Sequence, residues 1–195
     1  MTTIVDLGLG NISNVKRPIE GKVTNDPYKI EKAEKIIIPG VGNFAEIKDD
    51  LSKLKGVISD FIEEDKPFLG ICLGMQVLFG YNEEGGDKGL DILEGEVKRL
   101  KNNLSPHIGW NTVRFTSEDP LFKGIDNGSF FYFAHSYYVE TKMPLVGETK
   151  LRSSCETSQI PAVIKSSNIY GTQFHPEKSG SDGLKLLKNF ELLEV

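Results

Sequence analysis

The sequence predicts an α/β fold: a mostly parallel central sheet with helices on both faces and antiparallel additions in the second half. Three observations predict it. Apolar runs such as EKIIIPGVG (34–42) lack polar alternation, as expected of a strand covered on both faces. Stretches with apolar residues at helical spacing separate these runs, which implies right-handed βαβ units. From GEVKRL onward the segments are short, often alternating and bounded by turn residues, which reads as antiparallel pairing.

The elements follow in order. TTIVDLG (2–8) is a short β-branched strand ending in glycine, and ISNVKRPIE (12–20) is a short helix that Pro18 ends or kinks. The run at 34–42 is the next strand. NFAEIKDDLSKL and GVISDFIEED (43–65) place Phe44, Ile47, Leu51, Leu54, Val57, Ile58, Phe61 and Ile62 at helical spacing. PFLGI (67–71) is a strand and GMQVLFGY (74–81) the helix after it. GEVKRL, NTVRFT, SFFYFAHSYYVE, AVIKSS and IYGTQFH are the antiparallel additions. SDGLKLLKNFELLEV is a closing amphipathic helix with Asp182 in its first turn. No repeat or linker interrupts the chain, so residues 1–195 read as a single domain.

A chain of 195 residues with 38% hydrophobic content is long enough to bury a sizeable core. Its net charge of -5 argues against a nucleic-acid footprint, which needs a basic patch. No apolar run reaches membrane-spanning length, and MTTIVDLGLGN lacks a signal peptide's charged region and long apolar core, so a cytoplasmic protein is expected. The two cysteines, Cys72 and Cys155, do not make a disulfide framework.

Cys72 stands in Gly70-Ile71-Cys72-Leu73-Gly74, between a strand and a helix. That is the form of a nucleophile elbow with cysteine in place of serine. A sharp strand-to-helix turn leaves no room for Cβ atoms beside the nucleophile, hence the glycines. It also sets the sulfur at a helix N-terminus, where the dipole and free N–H groups favour a thiolate. The N–H of Leu73 would face the oxyanion of an acyl intermediate. The competing reading is a buried structural cysteine.

A thiolate needs a base. His175, in GTQFHPEKS, precedes Pro176, which biases it toward extended geometry. In an extended segment residues i and i+2 share a side, so Glu177 would reach the imidazole and hold its tautomer. Cys72, His175 and Glu177 then make a nucleophile–base–orienter set. His135, in FAHSYY, is the rival base but has no acid two residues away. At the end of the most apolar strand, Pro39-Gly40-Val41-Gly42 would present amide N–H groups where open α/β sheets bind ligands; the bland alternative is an ordinary βα turn.

Together GICLGMQ and HPE resemble the class I glutamine amidotransferases. The succession DLGLGN, PGVGNF, GICLGMQ, PHIGWN, FYFAHSYY and QFHPEKS runs essentially from end to end. It is similar to one branch, the glutaminase subunits of imidazole glycerol phosphate synthases. The resemblance implies a flavodoxin-like amidotransferase fold and hydrolysis of glutamine to glutamate and ammonia through a glutamyl thioester on Cys72. It implies substrate binding by Gly40, Val41, Gly42, Leu73, Gln76, Ser136 and Tyr137, with Gly42 and Leu73 as oxyanion donors. In the family the Pro-Gly-Val-Gly strand reorients before its N–H points inward. The resemblance also implies a partner, the (β/α)8-barrel cyclase HisF, as a heterodimer meeting this chain at Asn11, Trp110, Asn111, Tyr132 and Lys178. It implies neither cofactor nor metal. Two features depart from the family's pattern: the first helix, with Pro18, is short, and the opening is DLGLGN where many members have a tyrosine after the aspartate. The alternatives are a paralogous glutaminase feeding another synthase, such as a surface-sugar amidotransferase, a catalytically silent regulatory subunit, and a cysteine peptidase. The intact Cys72, His175 and Glu177 speak against the silent subunit, and the total pattern against the peptidase.

Overall fold

The computed structural model describes residues 1–8, 12–101, 103–153 and 157–194. In chain order the elements are β1 (Thr2–Val5), α1 (Ile12–Lys16), β2 (Gly21–Thr24), α2 (Pro27–Glu31), β3 (Lys35–Ile38), α3 (Phe44–Glu63), β4 (Phe68–Ile71) and α4 (Leu73–Gln76). Then come β5 (Tyr81–Asn82), β6 (Asp87–Lys88), β7 (Glu96–Arg99), β8 (His107–Thr112), β9 (Arg114–Phe115), β10 (Phe130–His135) and β11 (Tyr137–Glu140). The chain ends with β12 (Leu145–Arg152), β13 (Thr157–Ser166), β14 (Ile169–Thr172) and α5 (Gly180–Glu191).

The central sheet has the order β2-β1-β3-β4-β14-β13-β12-β9. Its first five strands run parallel, and β13, β12 and β9 add antiparallel. Strand pleating divides the core between two layers. Ile36, Ile38 and Phe68 face α3, whose Phe44, Ile47, Leu51, Leu54, Ile58 and Phe61 are buried. Ile37, Leu69 and Ile71 face the other layer, built from α5, α1 and the aromatic residues Phe131, Phe133 and Phe174. Each fully buried aromatic or branched side chain contributes on the order of 1.5–3 kcal/mol. The C-terminal ends of β3 and β4, two neighbouring inner strands, therefore sit on a stiff platform.

Several expectations are corrected. IYGT is antiparallel on one side only: β14 pairs antiparallel with β13 but parallel with β4, Tyr170 opposite Leu69, and all four of its residues are buried. Its unbroken burial, rather than alternation, marks it as an inner strand. The helix expected at 74–81 stops at Gln76. The returning loop takes its carbonyls instead: Leu90 N donates to Val77 O at 2.7 Å and Gly89 N to Gly80 O at 2.7 Å. NTVRFT is split at Val113 between β8 and β9, and PHIGWN lies in β8 except for Pro106. SFFYFAHSYYVE is split at Ser136, where the chain passes from the β8–β10 pair to the sheet of β11, β7, β5 and β6. The reading had no β2, α2 or β12. Asp26 caps α2 by accepting from Tyr28 N, with Pro27 in the first turn, a start signal present in NDPY.

Candidate active site

Cys72 follows β4 with φ 53° and ψ −108°, a conformation L side chains rarely adopt. The bend exists because its neighbours lack side chains. A Cβ on Gly74 would stand 1.8 Å from Ile38 O, and one on Gly70 would stand 2.3 Å from Gly74 O. Gly40 is packed likewise: its Cβ would meet Gly74 N at 2.6 Å. The turn is held by Cys72 N donating to Thr172 O at 2.6 Å, while Met75 N and Gln76 N donate to Cys72 O. Cys72 is 6% exposed.

His175 lies past the end of β14 in extended geometry, φ −99°. Its Nδ1 is 2.9 Å from Glu177 Oε1, and the two side chains are 1% and 3% exposed. The i, i+2 contact is present, but not by strand alternation: Pro176 opens a 3-10 turn over Pro176–Lys178, with Lys178 N donating to His175 O. Burial pulls the imidazole's pKa down; Cys72, then Glu177, outweigh it and raise the pKa to about 9. Nε2 itself is buried and makes no hydrogen bond of regular geometry, and the Cys72 thiol is the neighbour that most favours the charged ring. The backbone is clamped around this ring. His175 N donates to Tyr132 O at 2.8 Å, Tyr132 N donates to Ser179 Oγ, and Ser179 Oγ donates to His175 O at 2.6 Å. Phe174, between Gln173 and His175, stacks on Phe131 with ring centroids 4.2 Å apart.

The rival base is engaged elsewhere. His135 Nδ1 is 2.8 Å from Tyr137 O and its Nε2 is 2.9 Å from His107 Nδ1. Burial, then neighbouring His107, lowers its pKa to about 3. Gln76, one turn beyond Cys72, donates through Nε2 to Tyr137 O at 3.0 Å and to Gln173 Oε1 at 3.3 Å. Ser136 occupies the break between β10 and β11 and Tyr137 begins β11; both are half-buried. The Tyr137 carbonyl thus already accepts from two side chains. Gly42, with φ 108°, and half-buried Val41 lie in the turn before α3.

Residues 7–193 match the family described as Glutamine amidotransferase class-I. The chain belongs to the class I glutamine amidotransferases. Among its relatives it is 51% identical over 191 residues to the Imidazole glycerol phosphate synthase subunit HisH of Pyrococcus furiosus, covering 97% of each chain. It is 48% identical to the subunit of that name from Thermococcus kodakarensis, covering 99% of this chain and 100% of the other. A solved structure titled as a glutamine amidotransferase superposes with a TM-score of 0.74 at 16% identity, covering 98% and 99% of the two chains, a likeness of fold alone. No described helix of this amidotransferase is long and apolar enough to cross a membrane.

Of the partner-facing residues expected in the amidotransferase, three come together. Trp110 is 56% exposed, its ring centroid lies 6.1 Å from that of Tyr132, and Lys178 Nζ lies 6.0 Å from the Tyr132 centroid. Exposed Ile108 and Phe130 extend this face. Asn111 does not join it: strand alternation turns it to the opposite side, where Nδ2 donates to Lys150 O at 3.0 Å and lies 3.2 Å from His107 Nε2. Asn11 and Cys155 lie outside the described residues. Sequence reasoning missed Gln173 and Ser179, although both stand in QFHPEKS. Gln173 is fully buried, and a buried amide two residues before a candidate base was the available signal.

Proposed function

We propose that this chain hydrolyses glutamine with Cys72 as nucleophile, His175 as proton carrier and Glu177 as its orienter. Cys72 sulfur attacks the side-chain amide carbon, and the oxyanion forms against the N–H groups of Leu73 and Gly42. The tetrahedral species collapses as His175 passes a proton to the amide nitrogen, which leaves as ammonia. Water, deprotonated by His175, then cleaves the thioester and releases glutamate. The pKa of about 9 favours the imidazolium, which suits the step that protonates the leaving nitrogen. Substrate is held by Gly40, Val41, Gln76, Ser136 and Tyr137. The observation that carries the reading is the strained cysteine bend set against a buried, buttressed His175–Glu177 pair.

The ammonia goes to a partner cyclase, the (β/α)8 barrel HisF, docked as a heterodimer on the Trp110, Tyr132 and Lys178 face. There it yields imidazole glycerol phosphate and an aminoimidazole carboxamide ribotide for histidine biosynthesis, in the cytoplasm. The names of the relatives support the partner, and the exposed aromatic cluster supports the face. Near-burial of Cys72 supports a site that opens on docking, with the glycine-rich turn at Gly40–Gly42 as the moving part. Tyr132 connects the two, since its ring lies on the face and its carbonyl binds His175 N. Adding the cyclase and its nucleotide ligand should raise glutaminase turnover by at least tenfold, about 1.4 kcal/mol of coupling. Equal turnover with and without them would overturn the gated-partner reading.

A further inference from the structure

The hydrogen bonds around Cys72 run in one direction. The Tyr137 carbonyl only accepts, so Gln76 must face it with Nε2, as observed. Gln76 Nε2 also reaches Gln173, which must therefore turn Oε1 toward it. That leaves Gln173 Nε2 pointing the other way, 3.7 Å from Cys72 Sγ, within the longer reach of a sulfur acceptor. The amide orientation of Gln173, normally open to a flip, is thus settled by its neighbours.

The line continues behind Tyr137. The same carbonyl requires a proton on His135 Nδ1, so a neutral His135 accepts at Nε2 from His107 Nδ1. His107 Nε2 in turn accepts from Asn111 Nδ2. Burial lowers the pKa of His107 to about 4, and His135 lies lower still, so both rings are neutral and these tautomers hold at neutral pH.

We propose that Gln173 is a further catalytic residue of the glutaminase site: its side-chain amide, locked by Gln76, donates to the Cys72 sulfur and stabilises it whenever it carries negative charge. That occurs before attack on the substrate and again as water expels the sulfur from the thioester. No bond is made or broken at Gln173. The proposal rests on Cys72 being the nucleophile, and its test reads the sulfur directly rather than turnover alone.

In a Cys155→Ser background, the rate of Cys72 alkylation by iodoacetamide at neutral pH is measured by mass spectrometry for the parent, Gln173→Met and Gln173→Glu. Methionine keeps the shape without the donor, and glutamate keeps the shape but presents acceptors. Loss of one hydrogen bond to a charged group should slow alkylation by about tenfold in Gln173→Met and further in Gln173→Glu. In glutamine turnover kcat should fall by a similar factor with KM within about twofold. A folded variant that alkylates at the parent's rate overturns the proposal. Should neither variant fold, the Gln173 side-chain amide resonance of the parent carries the test. It must move when Cys72 is alkylated, and an unmoved resonance overturns the proposal equally. Failure of the nucleophile assignment itself looks different: Cys72→Ala would retain glutaminase activity.

Discussion

Two alanine substitutions, identical on paper, should move stability in opposite directions. At Gly74 the new Cβ would stand 1.8 Å from Ile38 O and 2.8 Å from Ile38 C. Ile38 cannot retreat easily, because β3 is hydrogen-bonded to β1 on one side and β4 on the other, its residues opposite Thr2–Ile4 and Phe68–Gly70. Forcing a methyl group into such packing costs about 1–3 kcal/mol, and a rigid backbone obstacle belongs at the upper end. At Gly56, exposed in the middle of α3, a Cβ meets nothing within 4 Å. There alanine relieves glycine's helix penalty and should stabilise by up to about 1 kcal/mol. Urea unfolding of both variants beside the parent measures the difference. For a chain of this size ~3 kcal/mol corresponds to a fall of about 6–12 °C in Tm. Gly74→Ala should also depress glutamine turnover, since any shift that accommodates the methyl group moves the residues flanking Cys72. A near-neutral Gly74→Ala with normal turnover would refute the claim that glycine at this bend is a steric requirement.

Other predictions are shorter. Ser179→Ala removes the hydroxyl that bridges Tyr132 N and His175 O; it should cost about 1–3 kcal/mol in urea unfolding, and a neutral result would mean water replaces the clamp. His175 has a raised pKa, so its favourable contribution is complete below pH ~6.5 and lost as pH climbs through about 9. That is at most about 3 kcal/mol, and Glu177→Gln should shrink the alkaline loss in stability measured against pH. The same alkaline loss in both proteins would show the carboxylate does not hold the charge. Trp110→Ala should leave stability within about 0.5 kcal/mol, since the ring is 56% exposed, yet weaken cyclase binding about 30-fold or more in titration calorimetry. Unchanged affinity would move the docking face elsewhere.

What the sequence disclosed follows from how local each signal is. The bend at Cys72 was legible because its cause, three small or compact residues between an apolar strand and a short helix, lies within five consecutive positions. His175 and Glu177 were legible because proline and a carboxylate adjoin the imidazole, although the turn that joins them is 3-10 rather than extended. The parallel placement of β14 was not, since four residues carry no record of which neighbour they join, and only their uniform burial distinguishes them. Strand β12 escaped because its pairing with β13 shifts register at Leu145, Gly147 and Glu148, which breaks the alternation. The line from Asn111 through His107, His135, Tyr137 and Gln76 to Gln173 joins side chains up to about a hundred residues apart. Such a network is set by topology and leaves no periodic trace in the chain.

The measurement that bears most directly on the chemistry is a comparison of two nitrogen sources in the assembled complex. With Cys72→Ala paired to the cyclase, synthesis from glutamine should vanish while synthesis from added ammonium salt continues at the parent's rate, because only the ammonia supply has been removed. Glutamine-driven synthesis that survives the loss of this sulfur would contradict the account.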